Sequence, residues 1–515
     1  IGSGVSGSEK VIVCQETKCN NKVYIFPNSK ITSQKYSHIA EILSVPYEKR
    51  GIIQNIKIIM TSKETGFGKT LKIYLRRIKT DLPLFVVFRA LGIISDKEIC
   101  EYICYDINDS KNKDLIRLLQ PSMDEANQIT SQKVALEYIS NCVSIYTPYK
   151  SVQTDNKFKL KYTEKLLGNV LLPHVGDNLK NKAFYLGYMT NQLLQNVLGR
   201  EKTNDRDSFI NKRVFTSGEL MAILFRENYM KIIRELKNNL EKDIYAGRLN
   251  ELKTNLSKRI KTNSLEIYIK KALATGNWDI KSIPGMKGVA QLLQRLSYLS
   301  TLSNLRRVIS PMQRDAKLVA PRKLHNTQYG YICPSETPEG ESVGIVKNLA
   351  LTSYITSNMS TEPVINILIN NEVITLDNIQ PVNVIRSIKI FINGNWYGIH
   401  NEPKKIYDIL IKARDEGVIN PYISICWNYK NSILNIYTDG GRLTRPLYKV
   451  KDNKLVITPE IFQKVREGKI TFNQLIIEYN CVDYIDTEES NSLMIAMTPD
   501  DLAKTIENKI PKIRN

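Results

Sequence analysis

The sequence predicts an α+β fold built from several domains, and three observations carry that prediction. The chain has 515 residues, 42% of them hydrophobic, enough for roughly three to five separate cores. Short β-rich runs at Val23 to Phe26, Ile56 to Met60, Leu71 to Leu75 and Leu84 to Phe88 give way to helical periodicity. From residue 351 onward, strand-length runs and glycine turns return.

The elements follow in order. Gly7-Ser8-Glu9-Lys10-Val11-Ile12-Val13 reads as a turn entering a strand. Ile1 to Ser8 is small and Gly-rich, with neither the basic nor the apolar part of a secretory signal. Ser95 and Glu98 have the spacing of a capping box for a helix running to about Tyr105. Gln132 to Ile139 and Tyr162 to Leu171 predict further helices, and Lys182 to Leu198, apolar almost all round, predicts a buried one. Thr216 and Glu219 form a second capping box. The helix behind it carries Leu220, Leu224, Ile233, Leu236, Leu240 and Ile244 on one stripe and stops at Gly247. Asn393-Gly394, between Val384 to Ile392 and Asn395 to Ile399, predicts a type I′ hairpin. Pro403 starts and Gly417 ends a helix. A second hairpin is expected from Ile433 to Thr438, turning at Asp439-Gly440-Gly441 and returning through Arg442 to Leu447. A lysine-rich, helix-like tail reaches Asn515.

Charge narrows the function. Lysine and arginine number 73 against 52 acids, a formal +21, which suits a polyanionic partner, nucleic acid before membrane. No stretch reaches the roughly 18 uninterrupted apolar residues of a membrane span. Cys100 and Cys104 lie four apart with no histidine or second cysteine pair nearby, and Cys14 and Cys19 do not match zinc-ligand spacing. All eight cysteines read as reduced thiols of an intracellular protein, mostly filling cores. His38, His174 and His400 sit among aliphatic or polar neighbours and read as structural. Gly66-Phe67-Gly68-Lys69-Thr70 has the look of a phosphate-binding loop, but the required earlier glycine is Lys63 and a strand follows, not a helix. A hairpin turn explains it.

The most informative stretch runs from Met286 to Leu351. Val289, Leu292, Leu293, Leu296, Leu299, Leu302 and Leu305 recur at helical steps and predict one amphipathic helix with a buried face. That helix would deliver Arg306 and Arg307 at its C-terminal end, where the dipole favours cations. Pro311 stops it, and a polar turn Gln313-Arg314-Asp315-Ala316-Lys317 follows. Arg322, Lys323 and His325 come next, then Cys333-Pro334-Ser335-Glu336-Thr337-Pro338-Glu339-Gly340 and the apolar run Val343 to Leu351. Prolines 311, 321, 334 and 338 stiffen the path. Arg306, Arg307, Arg314, Lys317, Arg322, Lys323 and Lys347 outnumber Asp315, Glu336, Glu339 and Glu341. Rigidly held guanidinium groups suit phosphate oxygens. A solvated basic surface with no partner explains the charge alone equally well.

Leu305-Arg306-Arg307, Gln313-Arg314-Asp315, Pro321 to Thr327 and Cys333 to Gly340 with Gly344 together resemble the fork region of the second-largest, beta-type subunit of multisubunit DNA-directed RNA polymerases. The eukaryotic polymerase II form is nearer than the bacterial one. The resemblance covers nearly the whole chain, from Gly7-Ser8-Glu9-Lys10 to Tyr484-Ile485-Asp486 and Ile495-Ala496-Met497, with Leu172-Pro173-His174, Lys182-Ala183-Phe184 and Ala272 to Trp278 also matching. It implies the end of a first protrusion segment at 1–17, a lobe at 18–214, a second protrusion segment at 215–275, a fork at 276–350, a first external domain at 351–430 and a second, truncated, at 431–515. On that reading the chain starts inside a domain, and its first end would be less stable in isolation.

The same resemblance implies the chemistry. The chain would belong to a nucleotidyltransferase that copies DNA into RNA, with catalytic Mg2+ held by aspartates of the largest subunit and no catalytic residue here. The zinc site and hybrid-binding lysines of the family would follow residue 515, so the chain alone is expected to be inactive. Lys281 and Lys287 would lie in the first fork loop, about two residues shorter here, beside the RNA–DNA hybrid. Gln291 and Arg307 would face the hybrid backbone, and Arg306 would also bind nucleic acid. Arg314, Asp315 and Lys317 would form the second fork loop where downstream strands part, with Ala316 in place of the usual glycine stiffening it. Arg322, Glu336 and Glu339 would sit near the nucleotide-addition machinery, Glu339 meeting the partner subunit's trigger loop. Two structural alternatives stand beside these roles: Arg307 capping its own helix, and Glu339 bonding its own turn. Implied partners are the largest and smaller polymerase subunits, template and non-template DNA and nascent RNA, with no membrane. The compartment would be the nucleus, or a viral factory or virion, since heavy use of Ile, Lys and Asn fits the A/T-biased genome of a large DNA virus. A split or degenerate subunit acting only as a nucleic-acid-binding scaffold is the rival.

Overall fold

Alternating β-branched residues between residues 23 and 83 build an antiparallel meander. Val23–Pro27, Tyr36–Ser44, Gln54–Thr61, Leu71–Tyr74 and Leu82–Pro83 pair each with the next in chain order. The computed structural model describes residues 3–5, 7–27, 35–46, 53–62, 66–144, 156–247, 263–278, 286–312, 318–451 and 454–507. Helices Leu84–Ala90, Asp96–Cys104, Lys113–Ala126, Gln132–Cys142, Asn156–Asn169 and Leu179–Val197 follow that sheet, so Leu84 to Phe88, expected as a β-rich run, is a fully buried helix instead. One face of the sheet (Ile42, Ile56, Ile58, Leu71, Ile73) shares a core with Phe85, Phe88, Ile103 and Leu186. The expected helices are all present and the last is the buried one. Ser95 does precede the second helix, but its side chain makes no cap bond. Arg89 instead bonds Asp96 in the first turn at 2.6 Å. Gly66–Thr70 joins two antiparallel strands, with Thr61 N–H on Thr70 O at 3.0 Å, so the turn reading holds. His174 is buried, and its Nδ1 hydrogen-bonds Ser44 Oγ at 2.7 Å.

A second five-stranded sheet has the order Ile374–Thr375, Asn395–His400, Ile388–Ile392, Ile433–Tyr437, Ser424–Asn428. Its hairpin turns as expected: Asn393 and Gly394 have φ of 50° and 80°, the left-handed pair a type I′ turn requires. Gly394 also lets the Asn21 carbonyl approach where a Cβ would stand. Helix Pro403–Asp415 starts on its proline, and Gly417 follows with φ 74°. Trp396 joins this sheet to the first core, edge-on to Tyr105 and Phe184.

The second expected hairpin does not form. Ile433–Tyr437 lies parallel to Ile388–Ile392, whereas Leu443–Tyr448 pairs with Tyr354–Ile355 and Val482–Asp486 in another sheet. Contacts with remote segments, not a tight turn, govern residues 438–442. Asn393 receives Thr438 N–H at 2.8 Å, Asp439 receives Arg213 Nε at 2.7 Å, and Gly441 bonds the backbones of Val214 and Thr356. These anchors carry the returning strand into its own sheet.

The helix after Thr216 runs Ser217–Tyr245 behind its capping box. Only Leu220 and Leu224 of its apolar stripe are buried, beside Leu273, Trp278, Met286 and Val289. Ile233 and Ile244 are exposed, so the expected single buried stripe is covered over its first turns only.

The largest correction concerns the helix predicted from Val289 to Leu305. Ala290–Leu292 is a strand paired with Lys10–Ile12. Ser297 and Ser300 then cap a helix confined to Tyr298–Leu305. Strand pairing meets the backbone's hydrogen-bonding demand at 290–292, and the Ser297 box fixes where the helix begins. The leucines therefore do not share a buried face. Leu292, Leu296 and Leu299 are 63%, 90% and 75% exposed, and Asn304 is the helix's buried side chain. Replacing Leu299 by Ser should shift the urea unfolding midpoint by no more than about 0.5 kcal/mol equivalent, whereas Val289→Ala, at a fully buried site, should cost about 1–2 kcal/mol.

Candidate nucleic-acid interface

Four distant segments build the platform for the fork residues. Their sheet has the order Val346–Asn348, Arg307–Ile309, Cys14–Lys18, Lys212–Phe215, with Arg307–Ile309 parallel to Cys14–Lys18. Glu16 is buried at its centre. Its carboxylate receives Lys347 Nζ at 2.8 Å, Ser310 Oγ at 2.8 Å and Lys212 Nζ at 3.2 Å, and Lys347 also donates to Ser310 Oγ at 3.0 Å. Burial alone would push the Glu16 pKa up; the Lys347 and Lys212 charges and the hydrogen bonds overcome this and hold it at about 2. Lys347, counted above among the loop cations, is thus an internal partner and is removed from any interface. Its position inside the apolar run Val343 to Leu351 was the available signal, because a lysine in a buried strand needs a buried acid.

The remaining residues divide in two. Lys287 is exposed, and Gln291, in the strand Ala290–Leu292, turns its Nε2 onto Gly288 O at 2.9 Å. Thr301 Oγ1 bonds Gln294 O at 2.7 Å, and Gln294 N–H reaches Asn304 Oδ1 at 3.3 Å, fixing the 293–297 turn over the short helix. Arg307 opens the next strand, and its Nη2 reaches only as far as Gln294 Oε1, at 3.1 Å. These contacts bring Lys287, Gln291 and Arg307 onto one strand–turn–helix–strand unit at the surface. Arg307 does not cap its helix: Arg306 holds the C-cap position and spends its guanidinium on the carbonyls of Ala350 at 2.7 Å and Leu351 at 3.3 Å.

The second group is tied to the proline-rich loop. Arg322 Nη1 donates to Glu341 O at 2.6 Å and Val343 O at 3.0 Å. Gly344, with φ 69°, leaves room for the Arg322 backbone. Ser303 of the short helix donates to Glu336. Glu339 is exposed and makes no hydrogen bond with a described residue, so bonding within its own turn is not observed. His325 Nε2 lies 2.8 Å from Asp205, a link across segments that the sequence reading missed. Lys281, Arg314, Asp315 and Lys317 lie outside the described residues.

Acids elsewhere are already engaged. Glu489 receives Arg414 at 2.9 and 3.1 Å, Asp486 receives Arg442 at 3.3 Å, and Asp483 pairs with Lys449 at 2.9 Å. Among the described residues no three His, Cys, Asp or Glu side chains converge as a metal site, and no helix is long and apolar enough to cross a membrane.

Four family models match stretches of the chain. Those described as RNA polymerase Rpb2 domains 2, 3, 4 and 5 match residues 20–215, 291–355, 390–451 and 472–514, in that order. The chain belongs to the family of second-largest subunits of multisubunit RNA polymerases. Among its relatives, DNA-directed RNA polymerase II subunit 2 of Arabidopsis thaliana is 36% identical over 97% of this chain and 42% of its own length. Subunit RPB2 of the Encephalitozoon cuniculi enzyme is 37% identical over 98% of this chain and 43% of its own. DNA-directed RNA polymerase subunit 2 of Acanthamoeba polyphaga mimivirus is 31% identical over 96% and 42%. The chain thus spans about two fifths of the length of these curated relatives.

The Glu16 cluster has a measurable consequence. A carboxyl whose folded pKa is depressed stabilises the fold above its unfolded value, and that contribution is lost as pH falls from about 4.5 to about 2. Lys347→Met should cost about 3 kcal/mol at neutral pH, because Glu16 is left buried with one amine fewer. It should also flatten the acid limb in that window, read by urea titration at several pH values.

Proposed function

We propose that this chain is the part of a DNA-directed RNA polymerase that positions DNA and the RNA–DNA hybrid around an active centre completed by other chains. The arrangement of Lys287, Gln291 and Arg307 along one surface unit carries the reading, with Arg307 opening a strand of the Glu16 sheet and Gln291 in a strand paired with Lys10–Ile12. Gln291 and Arg307 are held by hydrogen bonds, and none of the three meets a carboxylate partner among the described residues, which suits contacts to phosphates passing along a surface. Arg314, Asp315 and Lys317 would extend the same surface to the point where downstream strands part, and Lys281 would lie beside the hybrid. Arg322, bound to the Glu341 and Val343 carbonyls, would shape the proline-rich loop that presents Glu336 and Glu339 to the largest subunit.

Magnesium ions bound by the largest subunit would supply charge neutralisation for phosphoryl transfer. The buried acids Glu16, Asp483, Asp486 and Glu489 are engaged with arginine and lysine, and on this reading the chain's share is orientation of the strands. The relatives' names as polymerase subunits support partnership with the largest and smaller subunits, DNA template and non-template strands, and nascent RNA. On this reading the family's zinc site belongs to a later part of the subunit, and the lobe, protrusion, fork and external domains divide the chain at 18, 215, 276, 351 and 431. The setting would be nuclear or, as for the mimivirus relative, viral.

In the assembled enzyme, Arg307→Ala should weaken retention of an RNA–DNA hybrid scaffold across all sequences and lower the salt slope of binding by about 1. Elongation should slow accordingly, with the subunit's unfolding unchanged. Arg314→Ala should act in the same direction on open-complex stability. Hybrid retention and elongation that match wild type at every salt concentration would refute the positioning role.

A further inference from the structure

Helix Asn156–Asn169 carries a second cationic surface, remote in sequence from the fork. Its buried side holds Thr163, Leu166 and Leu167. Phe158, Lys161, Tyr162 and Lys165 follow three- and four-residue steps along another side. Phe158 is 50% exposed, and its ring stacks on Tyr162 with centroids 6.5 Å apart and planes 23° from parallel. Arg77, from the loop after strand Leu71–Tyr74, donates Nη1 to the Tyr162 hydroxyl at 3.3 Å. That loop is stitched down: Arg77 accepts Ser144 N–H at 2.8 Å, and Lys79 N–H bonds Cys142 O at 3.0 Å. Arg77 itself takes φ 75°, a left-handed conformation rarely adopted by an arginine. Lys79, Lys161 and Lys165 are exposed and make no ion pair with a described acid; Glu164 is the helix's single acidic residue.

Two features set this face apart from a solvated lysine surface. A half-exposed phenylalanine stacked on a tyrosine keeps apolar ring surface in water, and an arginine from a backbone-anchored loop is fixed on the tyrosine hydroxyl beside exposed lysines. Rings interleaved with cations are what unpaired bases and their phosphates require, since every base offers a face for stacking. A duplex keeps those faces inside its own stack. An apolar protein partner would call for aliphatic neighbours, which this side of the helix lacks.

We propose that this surface is a sequence-tolerant binding site for single-stranded nucleic acid. Bases stack on the Phe158–Tyr162 pair, and Arg77, Lys79, Lys161 and Lys165 take the phosphates. The site is independent of the fork surface, and its test is read separately from that one. The full 515-residue chain is irradiated with a labelled, 5-iodouracil-substituted oligonucleotide and the adducts are mapped by mass spectrometry; affinity is measured by fluorescence anisotropy against salt. Adducts are expected on Phe158 or Tyr162. Phe158→Ala should weaken binding about 5- to 30-fold, and the Lys161→Gln, Lys165→Gln pair should lower the salt slope by about 1.4. All three positions are exposed, so unfolding curves should overlay those of the wild type; as a control against local unfolding, Phe158→Tyr should restore binding. Adducts confined to fork peptides, or an affinity indifferent to Phe158→Ala, would overturn the proposal while leaving the fork reading intact. Equal competition by a duplex of the same length would reduce the surface to an unspecific polycation. Displacement by an acidic peptide from wild-type and Phe158→Ala chains alike would assign it to a protein partner.

Discussion

Glu16 is the fixed point of this molecule. A carboxylate stripped of water is costly unless its lone pairs are filled, and here they are filled from three other segments of chain: Lys212, Ser310 and Lys347. None of these donors is near Glu16 in sequence. The sheet that unites them can form only when all four segments arrive, so the charge enforces a single register on strands that apolar contacts alone would let slide. The strand Arg307–Ile309 lies second in that sheet, between Val346–Asn348 and Cys14–Lys18. Its first residue, Arg307, is therefore set by a buried ion cluster although its own guanidinium lies at the surface.

Local chemistry was the legible part of the fold. Asn393-Gly394, Pro403 with Gly417, and Thr216 with Glu219 each specify their element within a few residues, because a turn or a cap is satisfied by the residues that compose it. Where the partner is remote, the same rules mislead. The 433–447 stretch has the composition of a hairpin, but Asn393, Arg213, Val214 and Thr356 hold the turn open, and none of them is near it in sequence. The leucines from 292 to 305 have helical spacing, yet Lys10–Ile12 claims residues 290–292 as a strand. Periodicity states which residues could share a face; it does not state whether a face exists to receive them.

The candidate site divides along the same line. Lys287, Gln291 and Arg307 emerge together because they belong to one local unit. Arg306 and Arg322, equally basic in sequence, are each tied through one guanidinium nitrogen to backbone carbonyls at 350–351 and 341–343. Lys347 is consumed by Glu16. Distinguishing a cation that meets solvent from one that meets a carbonyl requires knowing which loop returns past it, and that is long-range information. The His325–Asp205 pair was missed for this reason too.

Charge has two opposite uses in this chain, and the structure separates them by depth. Deep pairs such as Arg414–Glu489, Arg442–Asp486 and Arg213–Asp439 are geometrically exacting. In low dielectric a misplaced partner costs several kcal/mol, so they resist deformation. Surface cations meet phosphates in water, where each contact is weak, salt-dependent and indifferent to sequence, and a strand can exchange one for the next. Weak contacts position a strand only if they do not move relative to one another. The rigidity must then come from beneath, and the buried carboxylates supply it: the acids of this basic chain give its free cations a fixed frame.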